Sequence, residues 1–234
     1  RVNDWAILRK EIPERPRGVR ALLDVLLTAR NYRVLIVLRL ALAIGLMSGG
    51  LGLAGSLLLF AIALVLLLRW RGAFNGGSDF MTLVGLTGLL IAHLAGTFKG
   101  MDFGWRAGLW YITLQSLTSY FMSGWVKLLH ASWRSGRALP QFLDTGIYGP
   151  LPAHSLLRRP WLTRPICWAF ILWEGLFALV FLDVRLAWIG CLIGAVFHGL
   201  VFAYFGLNRF FWAWLASYPA LIYAVTEWSL SQRY

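Results

Sequence analysis

The chain has 234 residues, of which 59% are hydrophobic and 14% are charged. A soluble domain has about 25% charged residues, so this composition excludes that class and predicts an integral membrane protein. The net charge is +12, but eight of the 22 basic residues lie in the first 33 positions and most others lie in short loops, as the positive-inside rule requires. No basic–aromatic module is visible, so nucleic-acid binding is not expected.

The N-terminal region, residues 1–31, is basic and ends in an amphipathic stretch. Polar side chains recur there every three or four positions, at Arg17, Arg20, Asp24, Thr28 and Asn31. This spacing leaves a broad Leu/Val face and predicts a helix that lies in the membrane interface. Residues 32–234 are predicted to form a single transmembrane helical domain.

Seven apolar segments in this second region are each predicted to cross the membrane. They cover residues 34–48, 54–70, 80–97, 105–129, 164–182, 186–207 and 210–228. When the N-terminus is placed on the cytoplasmic side, the arginine clusters fall in the inner loops, so the predicted orientation is N-in. The predicted fold class is therefore all-α, a polytopic bundle of about seven spans.

The cysteines and histidines of the sequence predict neither a disulfide bond nor a metal site. Cys167 and Cys191 form no CxxC or zinc pattern and lie in different predicted helices, so they are expected to be buried and unpaired. The four histidines have no paired spacing, so no metal site is predicted. His93, alone in its helix, is interpreted as a structural histidine.

Lys127 is one of the ionisable residues that need a partner inside the predicted apolar helices, as are Arg39, His93, Glu174 and His198. Tyr120, Ser123, Lys127 and His130 are spaced three, four and three residues apart, so they share one helix face. A lysine partly withdrawn from water can act as a base. The structural alternative is a lysine that extends from the helix end to the lipid headgroups.

Glu174 and His198 lie near the middle of two consecutive predicted spans. Antiparallel neighbours would place them at similar depth, where a carboxylate–imidazole pair would satisfy both polar groups. Such a pair could carry protons or orient a bound headgroup. The alternative is a purely structural hydrogen bond between helices.

The pattern Tyr120-Phe121-x-x-Gly124-x-x-Lys127-Leu128, followed by Trp133-x-x-Gly136, resembles the core motif of the HTTM family. That family includes the vitamin K-dependent γ-glutamyl carboxylases. Phe197-His198 and residues 206–219 resemble a later helix of the family and the span that follows it. Residues 71–79 resemble the polar turn before the family's third helix.

The resemblance implies that Lys127 is the base acting on a lipid-soluble quinol. We therefore predict three catalytic residues, with Lys127 as the proton acceptor and with Glu174 and His198 orienting or relaying. The predicted ligand-binding residues are Tyr120, Ser123, His130 and Trp133. The expected cofactor is a quinone, a quinol or a lipid, and no metal is predicted.

The resemblance is expected to be to short bacterial relatives of the family. Some of these relatives help to mature secreted peptide toxins. The chain is expected to be a short form that lacks the extramembrane substrate domain of the carboxylases and to be a multi-pass protein of a bacterial inner membrane. Membrane lipids, other membrane subunits or a secreted peptide substrate are the expected partners. The alternative hypothesis is a non-catalytic structural subunit of a larger membrane complex. An enzyme requires access to the Lys127 amine, whereas a subunit would fill that space with side chains.

Overall fold

The computed structural model describes residues 5–11, 16–69 and 76–232, and none of these residues forms a strand. The all-α prediction is confirmed for this part of the chain. The chain divides into two compact units, residues 1–108 and 109–234. By length and apolar composition, three described helices could cross a membrane: Gly52–Arg69, Gly77–Lys99 and Val184–Phe205.

The described residues of the first unit form two short helices and three long ones. Helices α1 and α2 cover Trp5–Leu8 and Arg17–Leu26, with a 3-10 turn at Arg9–Glu11. The long helices are α3 (Ala29–Met47), α4 (Gly52–Arg69) and α5 (Gly76–Lys99). Helix α6 (Met101–Leu129) begins in this unit and ends in the second.

Helices α3 and α4 form the core of the first unit, against which apolar side chains of α5 pack. Its buried side chains are Leu42, Leu59, Ile62 and Leu66. The hydroxyl of Ser56 on α4 is 2.6 Å from Nδ1 of His93 on α5, and the His93 ring meets the edge of Trp105. The interpretation of His93 as a structural histidine is therefore confirmed.

The predicted interfacial helix at residues 17–31 is interrupted. Helix α2 ends at Leu26, Thr28 has an extended backbone, and a new helix starts at Ala29, earlier than the predicted span 34–48. The Arg69 guanidinium donates a hydrogen bond to the Leu27 carbonyl at 2.6 Å, and this contact holds the junction against the end of α4. Parts of the predicted segments 1–31 and 71–79, at residues 1–4, 12–15 and 71–75, lie outside the described residues.

The second unit contains the remaining helices, joined by two short 3-10 turns at Leu156–Arg158 and Phe177–Leu182. Its helices are the C-terminal part of α6, then α7 (Ala131–Arg134), α8 (Ala138–Leu143), α9 (Pro160–Gly175), α10 (Val184–Phe205), α11 (Asn208–Leu215) and α12 (Tyr218–Ser231).

Two predicted spans are not continuous α-helices. The segment 164–182 begins inside α9 and changes to a 3-10 helix after Gly175. The segment 210–228 is broken between Leu215 and Tyr218. The cause of the second break is Pro219, because its ring lacks an N–H and would clash with the carbonyl four residues earlier in a continuous helix. In the structure Pro219 lies in the first turn of α12, where proline is well tolerated.

Helix α10 has a buried face of mostly small residues, which packs inside the second unit. The buried residues of this face are Ala187, Gly190, Cys191, Gly194 and His198. Small residues let neighbouring helices approach closely, which is the usual packing of helices in membranes. Both cysteines are buried and unpaired, as predicted.

Candidate functional site: a lysine–glutamate pair beside a tyrosine–histidine network

Three of the four predicted residues on the α6 stripe share one face of the helix. Tyr120 is buried, and Ser123 and Lys127 follow it at helical spacing on the same side. The Lys127 ammonium donates a hydrogen bond to the Ser123 hydroxyl at 2.5 Å. His130 lies apart from them, because α6 ends at Leu129 and His130 is the exposed residue that precedes α7.

Lys127 forms an ion pair with Glu174 of α9. Nζ of Lys127 lies 2.5 Å from Oε2 of Glu174, and the two side chains are only 15% and 4% exposed. A buried carboxylate is stable only when it is paired and hydrogen-bonded. The ammonium group supplies that partner, so the pair satisfies both charges within the second unit.

A close backbone contact brings the two helices together at this point. The Gly124 backbone lies against Gly175, so that a Cβ atom on Gly124 would be 2.7 Å from the Gly175 Cα. This contact directly adjoins Glu174 in the sequence of α9. The absence of side chains on Gly124 therefore permits the helix spacing that lets Lys127 reach Glu174.

Trp133 closes one side of the ammonium group. The Lys127 ammonium lies 5.1 Å from the centre of the Trp133 ring, within the range of a cation–π interaction. The Trp133 ring is held in turn by Phe142 of α8, at a centroid distance of 5.6 Å. The structure thus places Ser123, Glu174 and Trp133 around Lys127.

A second polar network surrounds Tyr120. Its hydroxyl lies 3.0 Å from Nε2 of His198 and 2.9 Å from the hydroxyl of Tyr218. Gly194, one turn before His198, has no side chain at this point, and a Cβ atom there would collide with the Tyr218 hydroxyl and lie 3.0 Å from that of Tyr120. Three buried polar side chains from α6, α10 and α12 therefore meet at one glycine.

Aromatic rings enclose this network. The Trp214 ring stacks on His198 at 4.9 Å, and Tyr120 contacts Trp173 at 5.2 Å and Phe177 at 4.0 Å. Three buried ring nitrogens of the cluster have no hydrogen-bond partner among the described residues, namely Trp173 Nε1, His198 Nδ1 and Trp214 Nε1. Buried polar atoms are nearly always hydrogen-bonded, so these three nitrogens are the atoms of the cluster whose hydrogen bonds no described side chain supplies.

The prediction that Glu174 and His198 form a pair with each other is wrong. Glu174 pairs with Lys127, and His198 pairs with Tyr120. The sequence predicts that Glu174 and His198 lie at similar depth in neighbouring spans. Depth alone does not determine which face of its helix each residue occupies. The glycine contacts place Glu174 towards α6 and His198 towards the two tyrosine hydroxyls.

Three residues of this site were missed by the sequence reasoning, namely Trp173, Trp214 and Tyr218. The first two look like ordinary aromatic residues in apolar helices. One feature of the sequence could have pointed to Tyr218. It directly precedes Pro219 and therefore lies at the start of a helix, where a side chain can turn inward. Nothing in the sequence pairs it with Gly194.

Outside the apolar helices, Asp144 and Arg158 hold the long connection between α8 and α9. The Arg158 guanidinium donates to both carboxylate oxygens of Asp144, at 2.7 and 3.1 Å, and the Leu151 amide donates to the same carboxylate at 2.9 Å. These hydrogen bonds hold the pKa of Asp144 below its ordinary value, and those from Arg158 have the largest effect.

No family model, curated protein or solved structure matches this chain. The resemblance to the HTTM family therefore stays a prediction. Among the described residues, no group of three or more His, Cys, Asp or Glu side chains could hold a metal ion.

Proposed function

We propose that the chain is a multi-pass protein of a bacterial inner membrane, with about seven spans and the N-terminus inside. Three helices of membrane-spanning length and apolar composition support this location. The break in the last predicted span does not oppose it, because broken helices are tolerated where neighbouring helices satisfy the freed backbone groups.

We further propose that the second unit is an HTTM-like enzyme or maturation factor in which Lys127 is the proton acceptor. The observation that carries this proposal is the buried Lys127–Glu174 pair with Ser123 on the same ammonium group. A hydrogen-bonded lysine–carboxylate pair can exist as ammonium and carboxylate or as amine and carboxylic acid, which differ by the position of one proton. The amine form is the one that accepts a proton.

The ligand in this proposal is a quinol or a lipid-like molecule. The residues fit such a group, because aromatic rings dominate the Tyr120 cluster and the unpartnered His198 Nδ1 can hydrogen-bond to a ligand oxygen. A quinol supplies an ionisable hydroxyl group and two-electron redox chemistry when it is bound. A secreted peptide is the proposed substrate of the maturation reaction.

Each residue would have one task at this site. Nζ of Lys127 would take the proton from a ligand hydroxyl. Oε2 of Glu174, 2.5 Å away, would first take one proton from the Lys127 ammonium, so that the pair is in its amine and carboxylic acid form when Nζ accepts the ligand proton. His198 and Tyr120 would orient the ligand oxygen through their shared hydrogen bond, and Trp133 would keep water from the ammonium group.

Native mass spectrometry of the protein, gently extracted from its own membranes, tests the proposal. We expect one quinone or lipid molecule per chain, lost in Lys127→Ala. The double variant Lys127→Ala/Glu174→Gln should lose it as well without leaving a buried unpaired carboxylate. Lys99→Ala, which removes an exposed lysine of the first unit, should keep it. Retention of the ligand by both Lys127 variants would overturn the catalytic role.

The second candidate function is a structural subunit of a larger membrane complex. It is supported by the way protein groups already surround the ammonium group: the Ser123 hydroxyl and the Glu174 carboxylate accept from it, and the Trp133 ring lies above it. In that case the pair would join α6 to α9. A stoichiometric set of partner proteins without a bound quinone or lipid, in the same mass spectra, would favour this function.

A further inference from the structure

We infer that the connection between α6 and α9 forms a surface that binds anionic phospholipid headgroups. We term this surface the basic platform and define it by Arg137, Tyr148, Arg159, Trp161 and Arg164. The inference rests on the membrane location proposed above but does not depend on the chemistry of Lys127.

Among the described residues, no carboxylate neutralises the positive charge of Arg159 and Arg164 on the platform. Asp144 is the only acidic residue between positions 130 and 163, and it is taken up by the two hydrogen bonds from Arg158. Arg159 and Arg164 are exposed, and no described residue forms a hydrogen bond or ion pair with either guanidinium group. Each uncompensated arginine close to an anionic lipid surface contributes about 1 kcal/mol of attraction.

Close backbone packing gathers these arginines around the start of α9. Arg159 directly precedes α9, and Arg164 lies in its first two turns. Gly136, with a φ of 82°, packs on the same turns, and a Cβ atom there would be 2.6 Å from the Arg164 amide nitrogen. Arg137 directly follows Gly136, so its backbone is next to the residue that packs on these turns.

The platform also includes two large aromatic side chains that are mostly exposed, although the edge of the Tyr148 ring contacts Tyr204. Trp161 is 69% exposed and Tyr148 is 74% exposed. The Tyr148 segment is anchored, because the Ile147 amide donates a hydrogen bond to the Tyr204 carbonyl near the end of α10, at 3.1 Å. Tryptophan and tyrosine in such positions are typical of the headgroup region, where an apolar ring body and a polar tip are both satisfied.

The combination favours a phospholipid surface over a soluble anion or an acidic protein. A soluble phosphate would engage the arginines and leave Trp161 and Tyr148 in water. A phospholipid offers a phosphate to the guanidinium groups and acyl chains to the rings. The clasp between Asp144 and Arg158 holds the connection in one shape, which lowers the entropy cost of binding.

Hydrogen–deuterium exchange of the full chain in lipid nanodiscs tests this inference. The discs contain either phosphatidylcholine alone or equal parts of phosphatidylcholine and phosphatidylglycerol. We expect peptides covering residues 145–165 to take up less deuterium in the anionic discs. Peptides from α4 serve as an internal reference and should exchange equally in both.

Variants separate charge recognition from a general effect. Arg159→Gln/Arg164→Gln should abolish the lipid-dependent difference, whereas Arg159→Lys/Arg164→Lys should retain most of it. Arg17→Gln/Arg20→Gln removes the same charge from α2 and should leave the platform peptides unchanged. Equal uptake of the native chain in both discs, or a difference that survives the glutamine variant, would overturn the inference.

Two further outcomes identify which idea has failed. If platform peptides are protected in native membranes but equally exposed in both discs, a protein partner covers the platform and the lipid inference is wrong. If alkaline washing releases the chain from membranes, the membrane location itself is wrong. Neither result concerns ligand binding at Lys127, which the mass spectra measure separately.

Discussion

Gly124 of α6 and Gly175 of α9 touch backbone to backbone, and the contact is asymmetric. A Cβ atom on Gly124 would lie 2.7 Å from the Gly175 Cα, whereas a Cβ atom on Gly175 would meet nothing within 4 Å. Only one of the two glycines is therefore required by the packing. The Lys127–Glu174 pair lies directly beside this contact, so the helix spacing and the ion pair depend on each other.

This asymmetry predicts opposite results for two similar substitutions. Gly124→Ala should force α6 and α9 apart and destabilise the protein by about 1–3 kcal/mol, as overpacking does. Gly175→Ala should be neutral or slightly stabilising, because its methyl group has space and alanine favours helix. Thermal unfolding in detergent measures both. Equal destabilisation by the two variants would show that the close contact does not limit the helix spacing.

The Lys127–Glu174 pair should show strong coupling in a double-mutant cycle. Lys127→Met leaves a buried carboxylate without its cationic partner and should cost about 3–5 kcal/mol. The double variant Lys127→Met/Glu174→Leu should recover much of that loss, because no buried charge remains. Unfolding free energies of the two single variants and the double variant provide the measurement. Additive losses would mean that the two side chains do not interact in the folded protein.

The cycle also bears on function. A structural subunit should keep its partners in the double variant once stability is restored. An enzyme that uses Lys127 as a proton acceptor should stay inactive, because the proton-accepting nitrogen is missing.

Tyr120 should matter more than Tyr218, because it is the centre of the hydrogen-bond network. Tyr120→Phe leaves both the Tyr218 hydroxyl and His198 Nε2 without their partner and should cost about 1–3 kcal/mol. Tyr218→Phe removes the end of the network and should cost less. Tyr223→Phe, on the exposed side of α12, should stay within about 0.5 kcal/mol of the native chain. Chemical unfolding ranks the three, and the reverse order for Tyr120 and Tyr218 would contradict this arrangement.

Because the Asp144–Arg158 ion pair, here called the clasp, holds the loop between α8 and α9, we expect this loop to be sensitive to acid. The folded pKa of Asp144 is lowered, so the clasp is fully stabilising above the ordinary carboxyl pKa of about 4 and is lost as pH falls through the lower folded value. Pepsin cleavage between residues 144 and 158 should therefore accelerate as pH decreases below about 4.

Asp144→Asn is the matched control for this effect, since it cannot ionise and loses the ion pair at every pH. The native chain should be cleaved more slowly than Asp144→Asn in the weakly acidic range, and the two rates should converge at lower pH. Rates that differ by the same factor throughout the acid range would contradict a role for the Asp144 carboxylate.

The helical class, the apolar character and the composition of the α6 face all follow from the order of residues along the chain. Helical spacing alone places Tyr120, Ser123 and Lys127 on one side, because residues three and four apart are neighbours on any helix. His130 followed the same spacing but lies beyond the end of α6, and helix ends are the least predictable part of such a pattern.

The identity of the helices that supply the partners depends on how the helices pack in three dimensions. Glu174 joins Lys127 and His198 joins Tyr120 because the close approaches at Gly124 and Gly194 determine the rotation and depth of each helix. A residue's position along its own helix contains no information about a neighbour's rotation. Local spacing therefore predicted the face of α6, whereas the packing of backbone against backbone selected the residues that meet it.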